Sequence, residues 1–205
     1  TNYPQSRQNT LQDTEHTYVL IDNLKDATAL CGNLLTLPIV AFDTETTGID
    51  AMSAEMVGMS FAVEGGRAWY VAVPENQAEA QEFVDAFRPF FENEGQIKVG
   101  QNLKYDLTIL SHYGVEVKGE LFDTMLAHYV VEPEQRHNMD HLAETYLHYR
   151  TIHIEELIGT GRNQKNMRDL PPADICDYAC EDADVTLRLY PLLREKMVES
   201  DVTSV

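Results

Sequence analysis

Short apolar runs alternate with stretches of helical spacing along the chain. Tyr18-Val19-Leu20-Ile21 reads as a strand, and Leu24, Leu30, Leu34 and Leu35 share one face of a following helix that Pro38 ends. Ile39 to Phe42 is a compact apolar run of the kind a buried strand carries. Met56 to Val63 and Ala68 to Val73 are two further strand-like runs, and Glu64-Gly65-Gly66-Arg67 between them is a hairpin signal. Phe83, Val84, Phe87, Phe90 and Phe91 recur with helical spacing, which predicts a helix over 78–91 before the turn Asn93-Glu94-Gly95 and the short strand Ile97-Lys98-Val99. Beyond Asn102 the pattern is helical almost throughout, with helices expected over 103–113, 123–131, 139–149 and 173–198, and one long irregular stretch over 159–172. Strands first, then helices around them, give a mixed α/β domain over 17–199, flanked by a linker over 1–16 and a tail over 200–205.

Composition narrows the class. With 205 residues, 43% of them hydrophobic, the chain can bury one sizeable core. Fifteen basic against thirty-four acidic residues give a net charge of −19, which disfavours loose attraction to nucleic acid or an anionic membrane, so any nucleic-acid contact must be local. Three cysteines and no secretory pattern in Thr1 to His16 point to reduced thiols and a cytoplasmic setting, and no apolar stretch approaches a membrane span. Cys176 and Cys180, one helical turn apart without a second pair, read as small core residues. His137 and His141 have the spacing of helical zinc ligands, but Asn138 stands where a metalloprotease needs glutamate, so they read as surface histidines.

Chemistry enters at Asp43 and Glu45. One residue apart at the end of a strand, they project from the same face and repel each other. Such a pair persists comfortably facing water or holding a cation, and hard oxygen ligands favour Mg²⁺ or Mn²⁺. Asp106 lies about one turn into a helix that Gly100 and a plausible N-cap, Asn102, introduce, so it can face the strand ends or simply complement the helix dipole. Tyr178 and Asp182, four apart, share a helix face and can address one centre. The alternative is a packed Tyr178 beside a solvated acidic face of Glu181, Asp182 and Asp184. The stretch 159–168 holds three basic and no acidic residues, and suits either tracking of a phosphate backbone or a mobile loop. Its G-x-G lacks the G-K-[ST] of a P-loop, and no G-x-S-x-G elbow is present.

Taken in order, Phe-Asp-Thr-Glu-Thr, Gly-Gln-Asn-Leu-Lys-Tyr-Asp, Phe-Asp-Thr-Met-Leu and Tyr-Ala-Cys-Glu-Asp-Ala-Asp resemble the 3′→5′ proofreading exonuclease domain of bacterial DNA polymerase I, over about residues 18–198. The resemblance implies a ribonuclease H-like fold with a mixed central sheet flanked by helices. It implies four metal-organising acids, Asp43, Glu45, Asp106 and Asp182, holding two divalent ions, Mg²⁺ or Mn²⁺, with Zn²⁺ a further candidate at one position. Asp43 would bridge the ions, Glu45 and Asp182 complete the site of the nucleophile-activating ion, Asp106 support the other, and Tyr178 orient the attacking water. Implied substrate contacts are Thr44, Ile49, Gln101, Asn102, Tyr105, Arg136 and Ile154, with Ile49 and Ile154 as apolar wedges and Arg136 on a phosphate. The implied substrate is a single-stranded or frayed 3′ end of DNA, released as nucleoside 5′-monophosphates. The implied partner is a polymerase domain of the same longer chain at the bacterial nucleoid, with no membrane. A ribonuclease D-like exoribonuclease and a non-catalytic module docking a polymerase are the competing readings.

Overall fold

The computed structural model describes residues 7–202; the first six residues of the expected linker and the last three of the expected tail lie outside them. Six strands form one mixed sheet in the order β1-β4-β3-β2-β5-β6. They are β1 Thr17–Ile21, β2 Ile39–Thr46, β3 Met56–Glu64, β4 Arg67–Ala72, β5 Ile97–Gly100 and β6 Glu120–Asp123. The β2-β3-β4 run expected from the hairpin pattern is antiparallel, while β1 joins β4, and β5 and β6 extend from β2, in parallel. Two layers of helix cover the sheet. Among the described residues no helix is long and apolar enough to cross a membrane.

On one face α1 (Leu24–Leu34), α2 (Gln77–Phe91) and α3 (Leu103–His112) close over Val40, Phe42 and Phe61. Phe61 stacks on Phe87 with ring centroids 4.6 Å apart, and Phe42 meets Phe90 and Phe91 edge-on. Full burial of each such ring is worth roughly 1.5–3 kcal/mol. The opposite face carries α4 (Thr124–Val131), α5 (Met139–Leu147) and α7 (Pro172–Glu199), packed on Ala41, Ala62, Tyr70 and Val99; the short α6 (Ile154–Ile158) follows α5. Cys176 and Cys180 are buried in this core as expected. Gly58 is required here, because a Cβ in its place would lie 2.2 Å from the Tyr70 ring.

Three expectations are corrected. The stretch before α4 is a strand: β6 pairs in parallel with β5, and its four residues are too few to show an alternation in the sequence. Asn102 does not cap α3 through its side chain; it sits in the left-handed region at φ 58°, and the Asp123 carboxylate accepts from the backbone N–H of Asn102 and Leu103 instead, at 3.1 and 2.8 Å. Asp123 also caps its own helix α4. His137 and His141 are only partly at the surface, for both are half-buried around His128, which is fully buried. His128 Nδ1 lies 2.7 Å from His137 Nδ1, and burial with its histidine neighbours pushes His128 down to about 4.

Candidate active site

The alternation of β2 divides its chemistry between the two faces. Ala41 points into the α7 core, so Asp43 and Glu45, two and four residues on, face α7, while Thr44 follows Phe42 toward α3. From α7, Asp182 answers the pair: carboxylate oxygens of Asp43, Glu45 and Asp182 all lie within 4.8 Å of one another. From α3, Asp106 is buried against the other side of the strand, its Oδ1 accepting from Thr44 N at 3.1 Å and Thr44 Oγ1 at 2.5 Å. Gly100 makes the turn into α3 tight enough, since a Cβ there would lie 2.2 Å from Leu103.

These acids strain against one another. Burial pushes the Asp43 carboxyl up to about 7, against opposing hydrogen bonds from the Thr44 backbone and Glu45. Glu45 is driven well above its ordinary range by burial and then by the charges of Asp43, Asp182 and Asp106. Asp106 and Asp182 rise for the same two reasons, with Asp43 the leading charge on each. Glu45 is 6% exposed, and its Oε1 has no hydrogen-bond partner. An orphaned, buried carboxylate oxygen facing two more carboxylates is a cost that a divalent cation relieves, and an all-oxygen donor set suits a hard one. The residues present therefore fit a divalent metal ion. Tyr178 sits among the same charges, and burial followed by the repulsion of Asp182, Glu45 and Asp43 raises its phenol far above the usual value, so it stays protonated.

A cleft of about 670 Å³ opens from Glu45. Thr44, Ile49, Asn102, Tyr105 and Ile154 line it. Ile49 is 99% exposed at its mouth. Tyr105 bonds through its hydroxyl to Thr46 and the Gly48 carbonyl, which fixes the turn carrying Ile49. Two expected contacts lie elsewhere. Gln101 has both ends of its amide engaged, donating to the His137 carbonyl at 2.8 Å and accepting from Thr124, and Arg136 is exposed on the α4–α5 connection outside the cleft lining.

The acidic run of α7 is not a solvated face. Glu181 is fully buried, accepting from Tyr149 Oη at 2.5 Å and Ile152 N at 2.6 Å, and Asp184 is buried against Tyr18 Oη, Gly66 N and Arg188 Nε at 2.6, 3.0 and 2.8 Å. Through Glu181, α7 holds the segment that leads into Ile154. The sequence shows Glu181 and Asp184 only as members of an acidic run and Asp123 only within the Phe-Asp-Thr-Met-Leu motif; their structural roles depend on partners from distant segments.

Comparison with known proteins agrees with this geometry. The family model described as 3′-5′ exonuclease matches residues 18–198. DNA polymerase I of Pseudomonas aeruginosa is 41% identical over 169 residues, covering 78% of this chain and 18% of that protein. DNA polymerase I of Rhizobium leguminosarum is 34% identical over 221 residues, covering 96% and 22%. The chain thus spans about a fifth of the length of these relatives. Among solved structures, the catalytic core of RRP6 from Trypanosoma brucei superposes with a TM-score of 0.71 at 17% identity, covering 95% of this chain and 54% of that one. Brucella melitensis NrnC superposes at 0.67 with 17% identity, covering 91% of this chain and 84% of that one. Both likenesses are of fold, and the fold is ribonuclease H-like, as the sequence motifs imply. With the matched span taking in β1 through α7 and every acid of the centre, the chain belongs to the 3′-5′ exonuclease family, as the exonuclease domain of the DNA polymerase I type.

Proposed function

We propose that this domain hydrolyses the terminal phosphodiester at an unpaired 3′ end of DNA, releasing nucleoside 5′-monophosphates, as the proofreading module of a longer bacterial DNA polymerase I in the cytoplasm. The observation that carries the reading is the unpartnered Glu45 Oε1 within a three-carboxylate cluster. Asp43, Glu45 and Asp182 would hold one divalent ion, and Asp106, which lies outside that three-carboxylate group with its Oδ1 taken by Thr44, would support a second from the other side of β2; Mg²⁺ or Mn²⁺ suits this oxygen set better than Zn²⁺. When bound, two such ions supply an acidified water and neutralise charge at the phosphate and the departing oxygen.

The side chains do the positioning. Tyr178, kept as a phenol, is a hydrogen-bonding group that orients the attacking water and is no general base. Thr44 fixes Asp106 through two hydrogen bonds and so sets the spacing between the two faces of β2. Asn102 is exposed in the cleft with its side chain released from capping, because Asp123 takes the helix N–H groups, and its amide is free to bond the strand. Ile49 and Ile154 offer apolar surface to the terminal bases. Gln101, by holding the His137 carbonyl, places the connection that carries Arg136.

Labelled single-stranded DNA and RNA of matched sequence, incubated with Mn²⁺ and the wild-type chain or Asp43→Ala, test the reading. The expected result is a metal-dependent ladder and 5′-mononucleotides from DNA with wild type alone. Preference for the RNA strand overturns the substrate class, and equal digestion by both proteins overturns the assignment of the centre.

A further inference from the structure

The 159–168 stretch left two readings open in the sequence, and its 165–168 end is anchored in the fold. Lys165 N donates to the Ile158 carbonyl at 2.8 Å, Asn166 Nδ2 to the Thr47 carbonyl at 2.8 Å, and Arg168 Nη1 and Nη2 to the Val73 and Met56 carbonyls at 2.8 and 2.5 Å. Met167, 4% exposed, plugs into the core between these tethers. The 165–168 end of the segment is therefore anchored as a wall of the cleft. Its Asn166–Thr47 bond ties it to the β2 turn that forms the facing wall of the cleft.

This wall sets one positive charge where the cleft otherwise has none. Lys165 is the one cation among the residues lining the cleft, and it is exposed with no salt bridge among the described residues. Arg168 is occupied by the two carbonyls, and Arg162 lies outside the lining. A nucleic-acid strand is a polyanion, and this chain carries a net charge of −19, with Glu45 at the inner end of the cleft. Affinity for such a strand must come from local cations placed along its path. Lys165 is such a cation, and with its backbone already tethered, binding has its side chain left to order.

We infer that Lys165, flanked by Gln164 and Asn166, forms a subsite for a backbone phosphate upstream of the scissile bond, which makes the centre selective for an oligonucleotide end over a mononucleotide ester. The inference rests on the phosphodiesterase reading of the acid centre and adds the substrate-length selectivity of that centre.

Hydrolysis of an eight-nucleotide oligothymidylate and of the p-nitrophenyl ester of thymidine 5′-monophosphate, both with Mn²⁺, reads the subsite. Lys165→Ala is expected to raise KM for the oligonucleotide about 5–10-fold with kcat within about two-fold, to leave the ester unchanged, and to be rescued by Lys165→Arg. Equal effects on both substrates, or none on the oligonucleotide, overturn the subsite. Fluorescence polarisation of a labelled phosphorothioate oligothymidylate in Ca²⁺ reads the same contact without turnover. There the slope of log affinity against log salt is expected to fall by about 0.7 in Lys165→Ala. An unchanged slope overturns the subsite whatever the hydrolysis shows, whereas failure of the wild type to hydrolyse either substrate overturns the reading of the centre.

Discussion

Two kinds of acid stand within one turn of α7. Glu181 and Asp184 are surrounded by donors: a phenol and a backbone N–H for the first, a phenol, a backbone N–H and an arginine for the second. Asp182, between them, faces Asp43 and Glu45, and the Oε1 of Glu45 has no donor at all. All of these carboxylates lose water on folding. The first two exchange it for protein hydrogen bonds and staple α7 to β1 and to the segment before α6. The others exchange it for repulsion, which the fold tolerates only as preparation for a cation. Burial alone does not set the site apart; Glu45 Oε1, buried without a partner beside two more carboxylates, does.

Substitutions along α7 break this contrast most sharply. Asp182→Asn removes a charge from a repelling set, so hydrolysis is expected to fall by about 10³-fold or more while melting in EDTA holds steady or rises. Glu181→Ala strands the Ile152 N–H and the Tyr149 hydroxyl and is expected to cost about 1–3 kcal/mol in denaturant unfolding. Loss of stability from Asp182→Asn equal to that from Glu181→Ala erases the distinction. Tyr178→Phe probes the smaller effect of orientation, with an expected loss of about 10–100-fold in kcat and an unchanged melting temperature.

The pH dependence sharpens the same comparison. Asp43 is raised from 3.8 to about 7 in the folded, metal-free chain, so its contribution to stability is complete below its unfolded value and is lost as pH rises through about 7. Glu181, raised from 4.5 to about 6, adds a loss of the same sign that ends sooner. Melts in EDTA are therefore expected to fall between about pH 4 and 7, and Asp43→Asn to flatten the upper part of that slope. A metal-free protein whose stability climbs through this window contradicts the crowding of the acids.

Much of this arrangement was legible in the chain. The alternation and length of β2 to β4, the phenylalanine spacing of α2 and the Asp43–Glu45 pair are local patterns, and local patterns survive folding; Asp106 and Asp182 gain meaning only from the motifs taken together. What escaped depended on distant partners. Glu181 looks solvated until Tyr149 and Ile152 are brought beside it, and Asn102 looks like a cap until Asp123 arrives from β6 to take that role. His137 and His141 look exposed until α4 delivers His128. Strand β6 escaped for a different reason: four residues paired on one side with β5 carry too little pattern to be read alone.

The central claim is that distant acids are gathered into one pocket that takes up divalent cations. Thermal melting of the wild type and Asp43→Ala across a Mn²⁺ titration tests it directly. The account predicts a rise in the wild type equivalent to about 2.7 kcal/mol at a hundredfold excess over Kd, and loss of most of that rise in the mutant. The same rise in both proteins, or none in the wild type, contradicts it.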